Sequence, residues 1–187
     1  MWGKQASSLM KTYYVRLNIT QIQALRRESA RLWQLTSDPA FDGAALIAAG
    51  NHLEQLSSAL SCMIDAGSNA PSGPPPDSAC DLPIELLLTA IDGRTEEEYR
   101  DEAIDFGHGG AYVLSPVTVR TLSAMLKSIS GESLRHALTN RAASANTAPR
   151  PEDDPAWIDP AQSALASLQR FYINAAAFGQ YVLVVSA

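Results

Sequence analysis

The chain has 187 residues, of which 46% are hydrophobic and 18% are charged, and it carries a formal net charge of −6 with a pI near 5.0. This length is sufficient for one domain with a sizeable core, and the acidic balance argues against a nucleic-acid partner. The longest apolar run, at 181–185, is far shorter than the roughly 18 residues that cross a membrane. No signal-peptide pattern opens the sequence. We therefore expect a cytoplasmic protein with no membrane contact.

The cysteines and histidines do not form a metal-ligand pattern. Cys62 and Cys80 lie in unrelated local contexts, which favours two reduced thiols over a disulfide framework. His52, His108 and His136 have no partner at the i+3 or i+4 spacing of a helical metal site. No nucleophile-elbow motif accompanies the serines. We expect neither a metal, nor a cofactor, nor a catalytic residue.

The beginning of the chain predicts one strand and one helix. Residues 1–11 have no pattern and are predicted to form a poorly ordered extension. From 12 to 19 the sequence TYYVRLNI alternates with a period of two, which is typical of a half-buried strand. Thr20 is then a candidate N-cap for a helix. The apolar residues of this helix recur at near-helical spacing: Ile22, Leu25, Leu32 and Leu35.

A long helix and a flexible loop are predicted next. The helix is predicted over 42–65, although Gly50 weakens it. Its apolar stripe consists of Leu46, Leu53, Leu56, Leu60 and Ile64. The stretch 66–80 is rich in proline, glycine and serine, which indicates a flexible surface loop within the domain. The apolar residues that follow, 82–91, are typical of another helix.

The second half predicts two more strands and three more helices. AYVLS at 111–115 predicts a strand, with Ser115 as the N-cap and Pro116 as the first residue of the next helix. Another helix is predicted from Ser130 to about Leu138, followed by a polar loop over 139–157.

The last helix is predicted to begin at the pair Asp159-Pro160 and to end at Gly179. After it, QYVLVVSA at 180–187 is almost wholly apolar, which is typical of a strand buried on both faces. The predicted fold is a single α+β domain with a small mixed or antiparallel sheet of at least three strands, covered by five to six helices. The N- and C-terminal strands are expected in the same sheet.

The stretch DFGHGG before the central strand contains residue types found in catalytic loops. The companion motifs of a kinase are missing, and the glycines lead into a strand instead of a helix N-terminus, unlike a phosphate-binding loop. We interpret the glycines as a turn. The alternative is a small-molecule-binding or hydrolytic pocket formed by Asp105, His108 and Tyr112.

Acidic residues concentrate in two segments. Seven of the 20 acids lie in 92–105 and four more in 152–159. Such runs are usually solvated faces, but they can also dock a basic partner, with Tyr99 and Trp157 as aromatic anchors. The candidate partner-binding residues are Glu96, Glu97, Glu98, Tyr99, Asp101, Glu102, Glu152, Asp153, Asp154 and Trp157.

Three segments carry a family resemblance: KTYYVRLNITQIQAL, AYVLSPVTVRTLSAMLKSISGESLRHAL and LQRFYINAAAFGQYVLVVSA. In order and spacing they resemble the YfbM-like bacterial family of domains of unknown function, most specifically at 112–138 and 168–185. The resemblance implies a single α+β domain over 12–187. It supplies no catalytic residues, and it implies a genomic context in which such domains look like immunity proteins beside type VI secretion toxins.

These observations together favour a non-enzymatic immunity or inhibitor protein. Its expected partner is a cognate toxin, with a type VI secretion nuclease effector as the leading candidate. Because a nuclease has a basic active-site cleft, an acidic surface could occupy and block it.

Overall fold

The computed structural model describes residues 11–30, 45–49, 56–57, 60, 91, 100–101, 103–104, 111–144 and 158–186. The predicted extension, except for its last residue, and the predicted loop at 66–80 lie outside these residues. The described elements, in chain order, are β1 (Lys11–Leu17), α1 (Ile19–Arg27), β2 (Ala45–Ala49), β3 (Arg100–Asp101), β4 (Ala111–Leu114), α2 (Pro116–Ser128), α3 (Gly131–Ser144), α4 (Ile158–Ala177) and β5 (Tyr181–Ser186).

The five described strands form one sheet in the order β2-β1-β5-β4-β3, and every neighbouring pair is antiparallel. The late strand β5 therefore lies between β1 and β4, with Leu17 opposite Tyr181 on one side and Leu114 opposite Val182 on the other. This confirms the predicted α+β class and the shared sheet of the N- and C-terminal strands.

The sheet is covered on both faces, because alternate residues of its strands enter two separate cores. The first core packs Tyr14, Leu114, Val182 and Val184 against α2, α3 and α4. The second core packs the other face of β1, β4 and β5 against α1, through Ile22 and Leu25. Strand β1 is consequently buried on both sides, and the prediction of a half-buried strand was wrong because α1 folds back over the second face.

Local capping signals fix where the helices begin and end. Ser115 caps α2, accepting from the Thr118 amide at 3.2 Å, with Pro116 at the first position as predicted. The predicted N-cap Thr20 was wrong, because Asn18 caps α1 in a capping box with Gln21. The Asn18 amide donates to Oε1 of Gln21 at 2.8 Å, and the Gln21 amide donates to Oδ1 of Asn18 at 2.9 Å.

The end of α4 follows the predicted glycine geometry. Gly179 has φ +59°, its amide donates to the Ala176 carbonyl, and the Gln180 amide donates to the Ala175 carbonyl at 2.9 Å. These two bonds form a Schellman motif. The other end of α4 differs from the prediction: the helix begins at Ile158, so Asp159 lies inside its first turn.

Three predicted helices have different extents. The first helix was predicted to continue to Leu35, but α1 ends at Arg27 with Glu28 as its C-cap. The helix predicted over 42–65 was wrong at Ala45–Ala49, which is strand β2, whereas Leu56, Ser57 and Leu60 are helical. Helix α3 continues to Ser144, well into the predicted polar loop. The structure describes four complete helices, and Leu56, Ser57, Leu60 and Ile91 are helical as well. The predicted total of five to six helices includes segments outside the described residues, so it stays a prediction.

Side-chain amides join the three helices over the first core. The Gln169 side-chain nitrogen of α4 donates to the carbonyls of Leu126 and Ile129 at 2.7 and 2.8 Å, where α2 ends. The Gln162 side chain, also in α4, donates to the Gly131 carbonyl at the start of α3. The last carbonyls of a helix have no intrahelical donor, and Gln169 supplies donors at the C-terminal end of α2. Together the two glutamine side chains fix α2 and α3 to α4.

Candidate functional site

The sheet has two chemically different ends. Its upper end is where β1 and β4 finish, since both are antiparallel to β5 and therefore run in the same direction. Helices α1 and α2 begin at the upper end and α4 finishes there. The lower end is where Ala111 of β4 pairs with Asp101 of β3.

The upper end exposes apolar side chains and has no acid in the first turn of α1 or α2. Ile19 and Val117 lie in those first turns and are exposed, and Phe178 at the end of α4 is 74% exposed. The two acids of the candidate segments that the structure describes, Asp101 and Asp159, lie toward the lower end.

Asp101 belongs to the first acidic segment, 92–105, and its carboxylate is held within the chain. One oxygen accepts from the Arg26 side chain of α1 at 2.7 Å, and the other accepts from the Ala103 amide at 3.2 Å. The Asp101 side chain is 12% exposed, whereas Arg26 is 49% exposed. Both oxygens of Asp101 have intramolecular donors, which gives it a structural role at the edge of the sheet. Its predicted part in partner binding stays a prediction.

The two ends of the first acidic segment are attached to different cores. Ile91, immediately before it, is buried in the first core, and its carbonyl accepts a hydrogen bond from the Tyr14 hydroxyl. Ile104, near its end, is buried in the second core on the opposite face of the sheet, and the Ala111 amide donates to the Ile104 carbonyl. The described residues at the two ends of this segment are therefore buried on opposite faces of the sheet.

Asp159 represents the second acidic segment, 152–159, in the described structure. Its carboxylate lies 3.5 Å from the Arg135 guanidinium of α3, and its side chain is 86% exposed. An acid in the first turn of a helix is favourable because the helix dipole is positive there. Since α4 leads into β5 at the upper end, its first turn lies toward the lower end, on the face opposite α1.

The remaining predicted residues stay predictions, because they lie outside the described residues. For the docking surface these are Glu96, Glu97, Glu98, Tyr99, Glu102, Glu152, Asp153, Asp154 and Trp157. For the alternative pocket they are Asp105 and His108. Its third member, Tyr112, lies in β4, where its partly buried ring packs against the first core.

The sequence places all of the net negative charge in the two segments. Together they hold eleven acids and two arginines, Arg94 and Arg100, which is a formal charge of −9. Because the whole chain carries −6, its remaining residues have a net charge of +3. The described acids of these segments, Asp101 and Asp159, lie toward the same end of the sheet.

Two arginines were not identified as site residues from the sequence. Arg26 is one of several charged residues on the exposed side of α1. No feature of the neighbouring sequence distinguishes it from Arg27. Arg16 lies on the first-core face of β1, with its guanidinium 5.8 Å from the centre of the Phe171 ring, and partial burial lowers its pKa. Its place in an alternating strand was visible, but the ring beneath it was not.

In the described ranges, no group of three or more histidine, cysteine, aspartate or glutamate side chains could hold a metal ion. No helix within these ranges is long and apolar enough to cross a membrane.

The described residues form a small α+β domain built around a five-stranded antiparallel sheet. A family model described as a domain of unknown function, DUF1877, matches residues 10–185. The chain therefore belongs to the DUF1877 family, which confirms the YfbM-like resemblance.

A solved structure supports the same fold. The protein of unknown function YfbM from Escherichia coli is similar with a TM-score of 0.55 and 14% sequence identity, over 95% of this chain and 99% of that one. At this identity the likeness concerns the fold alone. None of the curated proteins matches the chain.

Proposed function

We propose that this protein is a non-enzymatic immunity protein that binds a bacterial toxin in the cytoplasm and blocks its active site with an acidic surface. The leading candidate for the toxin is a nuclease effector of type VI secretion. The observation that carries the proposal is the separation of charge: −9 in the segments 92–105 and 152–159 against +3 in the rest of the chain.

Electrostatics supplies the physical reason. A nuclease cleft that binds the phosphate backbone is lined by lysine and arginine, and a concentrated acidic surface is complementary to it. Such complementarity raises the association rate by about 10- to 1,000-fold at low salt and disfavours wrong partners. Tyr99 and Trp157, which lie in the two segments, would supply the apolar contacts that charge alone does not provide.

The attachment of the first segment supports a defined surface. Its two ends are fixed at Ile91 and Ile104, both of which are buried. Ordering a free segment on binding costs free energy. Fixed ends reduce that cost, which favours tight inhibition.

The test is co-expression with the product of the adjacent gene, followed by co-purification and an activity assay of that product with and without this protein. We expect a stoichiometric complex in which the toxin activity is lost. An adjacent product that has no toxic activity, or that keeps its activity in the presence of this protein, would contradict the proposal.

Charge reversal locates the surface on that complex. Replacing Glu96, Glu97 and Glu98 together by lysine should slow association about tenfold or more at low salt and reduce the salt dependence of binding. The same expectation holds for Asp153→Lys with Asp154→Lys. Glu132→Lys, an exposed reversal in α3 outside both segments, is the control and should have a much smaller effect per charge.

A further inference from the structure

An ion pair between distant parts of the chain fixes the edge of the sheet. Arg26 of α1 donates to Asp101 of β3 at 2.7 Å, although the two residues are 75 positions apart. The backbone continues this attachment: the Ile104 amide donates to the Asp101 carbonyl at 3.0 Å, and the Ala111 amide donates to the Ile104 carbonyl at 3.0 Å. The ion pair, the turn after β3 and the start of β4 thus form one connected unit.

The backbone pairing at this edge is short. Strand β3 contributes two residues, Arg100 and Asp101, opposite Tyr112 and Ala111. A two-residue ladder fixes little conformational freedom by itself. The side-chain attachment to α1 and the burial of Ile104 therefore supply much of what holds this edge in register.

We propose that Arg26 is a positioning residue for the first acidic segment: it holds Asp101 and so sets where that segment leaves the folded core to meet a basic partner. This inference rests on the proposed function. Arg26, although basic, would then promote binding of a basic partner without contacting that partner.

The proposal and simple electrostatics predict opposite results for the same substitution. Arg26→Gln removes a positive charge and makes the chain more acidic, so charge alone predicts tighter binding to a basic partner. If Arg26 acts by positioning, the same change weakens binding. Arg27→Gln is the matched control, because it makes the same charge change at the next residue, which is also exposed.

The first experiment needs no partner. Hydrogen exchange of the isolated protein is compared for the wild-type chain, Arg26→Gln, Arg26→Lys and Arg27→Gln. We expect Arg26→Gln to speed exchange of the Ala103, Ile104 and Ala111 amides about fivefold or more, corresponding to loss of a partly buried ion pair. Arg26→Lys keeps the charge and should restore part of the protection. Equal exchange in Arg26→Gln and Arg27→Gln would overturn the positioning role.

The second experiment measures binding of the same variants to the adjacent-gene product at two salt concentrations. We expect affinity to fall about tenfold for Arg26→Gln, to recover in part for Arg26→Lys, and to stay the same or rise for Arg27→Gln. If exchange responds to Arg26 but affinity does not, the positioning role is overturned while the inhibitory function stands. If the wild-type chain itself forms no complex, the proposed function falls and the positioning role falls with it.

Discussion

The hydroxyl of Tyr14 offers the sharpest test of how the first acidic segment is attached to the core. Tyr14 is fully buried in β1, and its hydroxyl donates to the carbonyl of Ile91, 77 positions away. The substitution Tyr14→Phe removes this donor and leaves the ring. The packing of that ring against Phe171, with centroids 6.0 Å apart, should persist.

The expected magnitude follows from the burial of both partners. Ile91 is 1% exposed, so its carbonyl cannot recover the lost bond from bulk water. A buried polar group left without its partner costs about 1–3 kcal/mol, more than the net value of an average hydrogen bond. We therefore expect Tyr14→Phe to lower the free energy of unfolding by about 1–3 kcal/mol, with an unchanged urea m-value.

Urea unfolding measures this free energy, and hydrogen exchange shows where the loss falls. Peptides that contain Ile91 should exchange faster in the variant, whereas peptides from β5 should follow the global change. Tyr181→Phe, a half-buried tyrosine packed against the second core, is the control. A loss below about 0.5 kcal/mol, with no local change in exchange, would refute the argument that this bond attaches the segment.

Two further predictions concern α4. An added Cβ at Gly179 meets nothing within 4 Å, so Gly179→Ala tests backbone conformation alone. An alanine at this positive φ costs about 1–2 kcal/mol, and the lower entropy of the unfolded chain offsets part of that cost. Urea unfolding should therefore show a net loss of stability of about 1 kcal/mol. No loss would contradict the left-handed cap. Complete burial raises the pKa of the Tyr172 hydroxyl. As the pH rises, the unfolded state therefore loses the hydroxyl proton before the folded state does. Stability falls above about pH 10, by up to about 1.4 kcal/mol per pH unit. The stability of the wild-type chain relative to Tyr172→Phe should therefore fall between pH 9 and pH 11. A difference that stays constant with pH would contradict the raised pKa of Tyr172.

Features that depend on neighbouring residues were predictable from the sequence. The Ser115–Pro116 start of α2 and the glycine end of α4 follow from side-chain capping and from the tolerance of glycine for positive φ. Strand β5 was predictable because a continuous apolar run of that length suits a strand buried on both faces.

Features that depend on distant residues were not predictable from the sequence. Alanine favours helices, so the stretch around Leu46 predicts a helix when considered alone. It becomes strand β2 because its backbone pairs with β1, with Ile47 opposite Tyr13 in the register. Strand β3 has no apolar alternation and exists through its pairing with β4.

The candidate site divides along the same line. The concentration of acids in 92–105 is a property of composition and is visible in the sequence. The attachment of that segment is not, because Arg26 and Asp101 meet only after α1 has folded over the second face of the sheet. The charged segment is therefore visible in the sequence, whereas the residue that holds it is not.

The central position of β5 has a consequence for how the protein is made. Residues 181–186 are synthesised long after β1, yet they join β1 and β2 to β4 and β3. Until they leave the ribosome, the two halves of the sheet have no strand between them, and both cores lack their central side chains. Pairings between such distant segments form slowly, and an incomplete sheet exposes strand edges that favour aggregation. Folding of the sheet must therefore wait until residues 181–186 have left the ribosome, and a nascent chain that stops before Tyr181 is a substrate for chaperones and proteases.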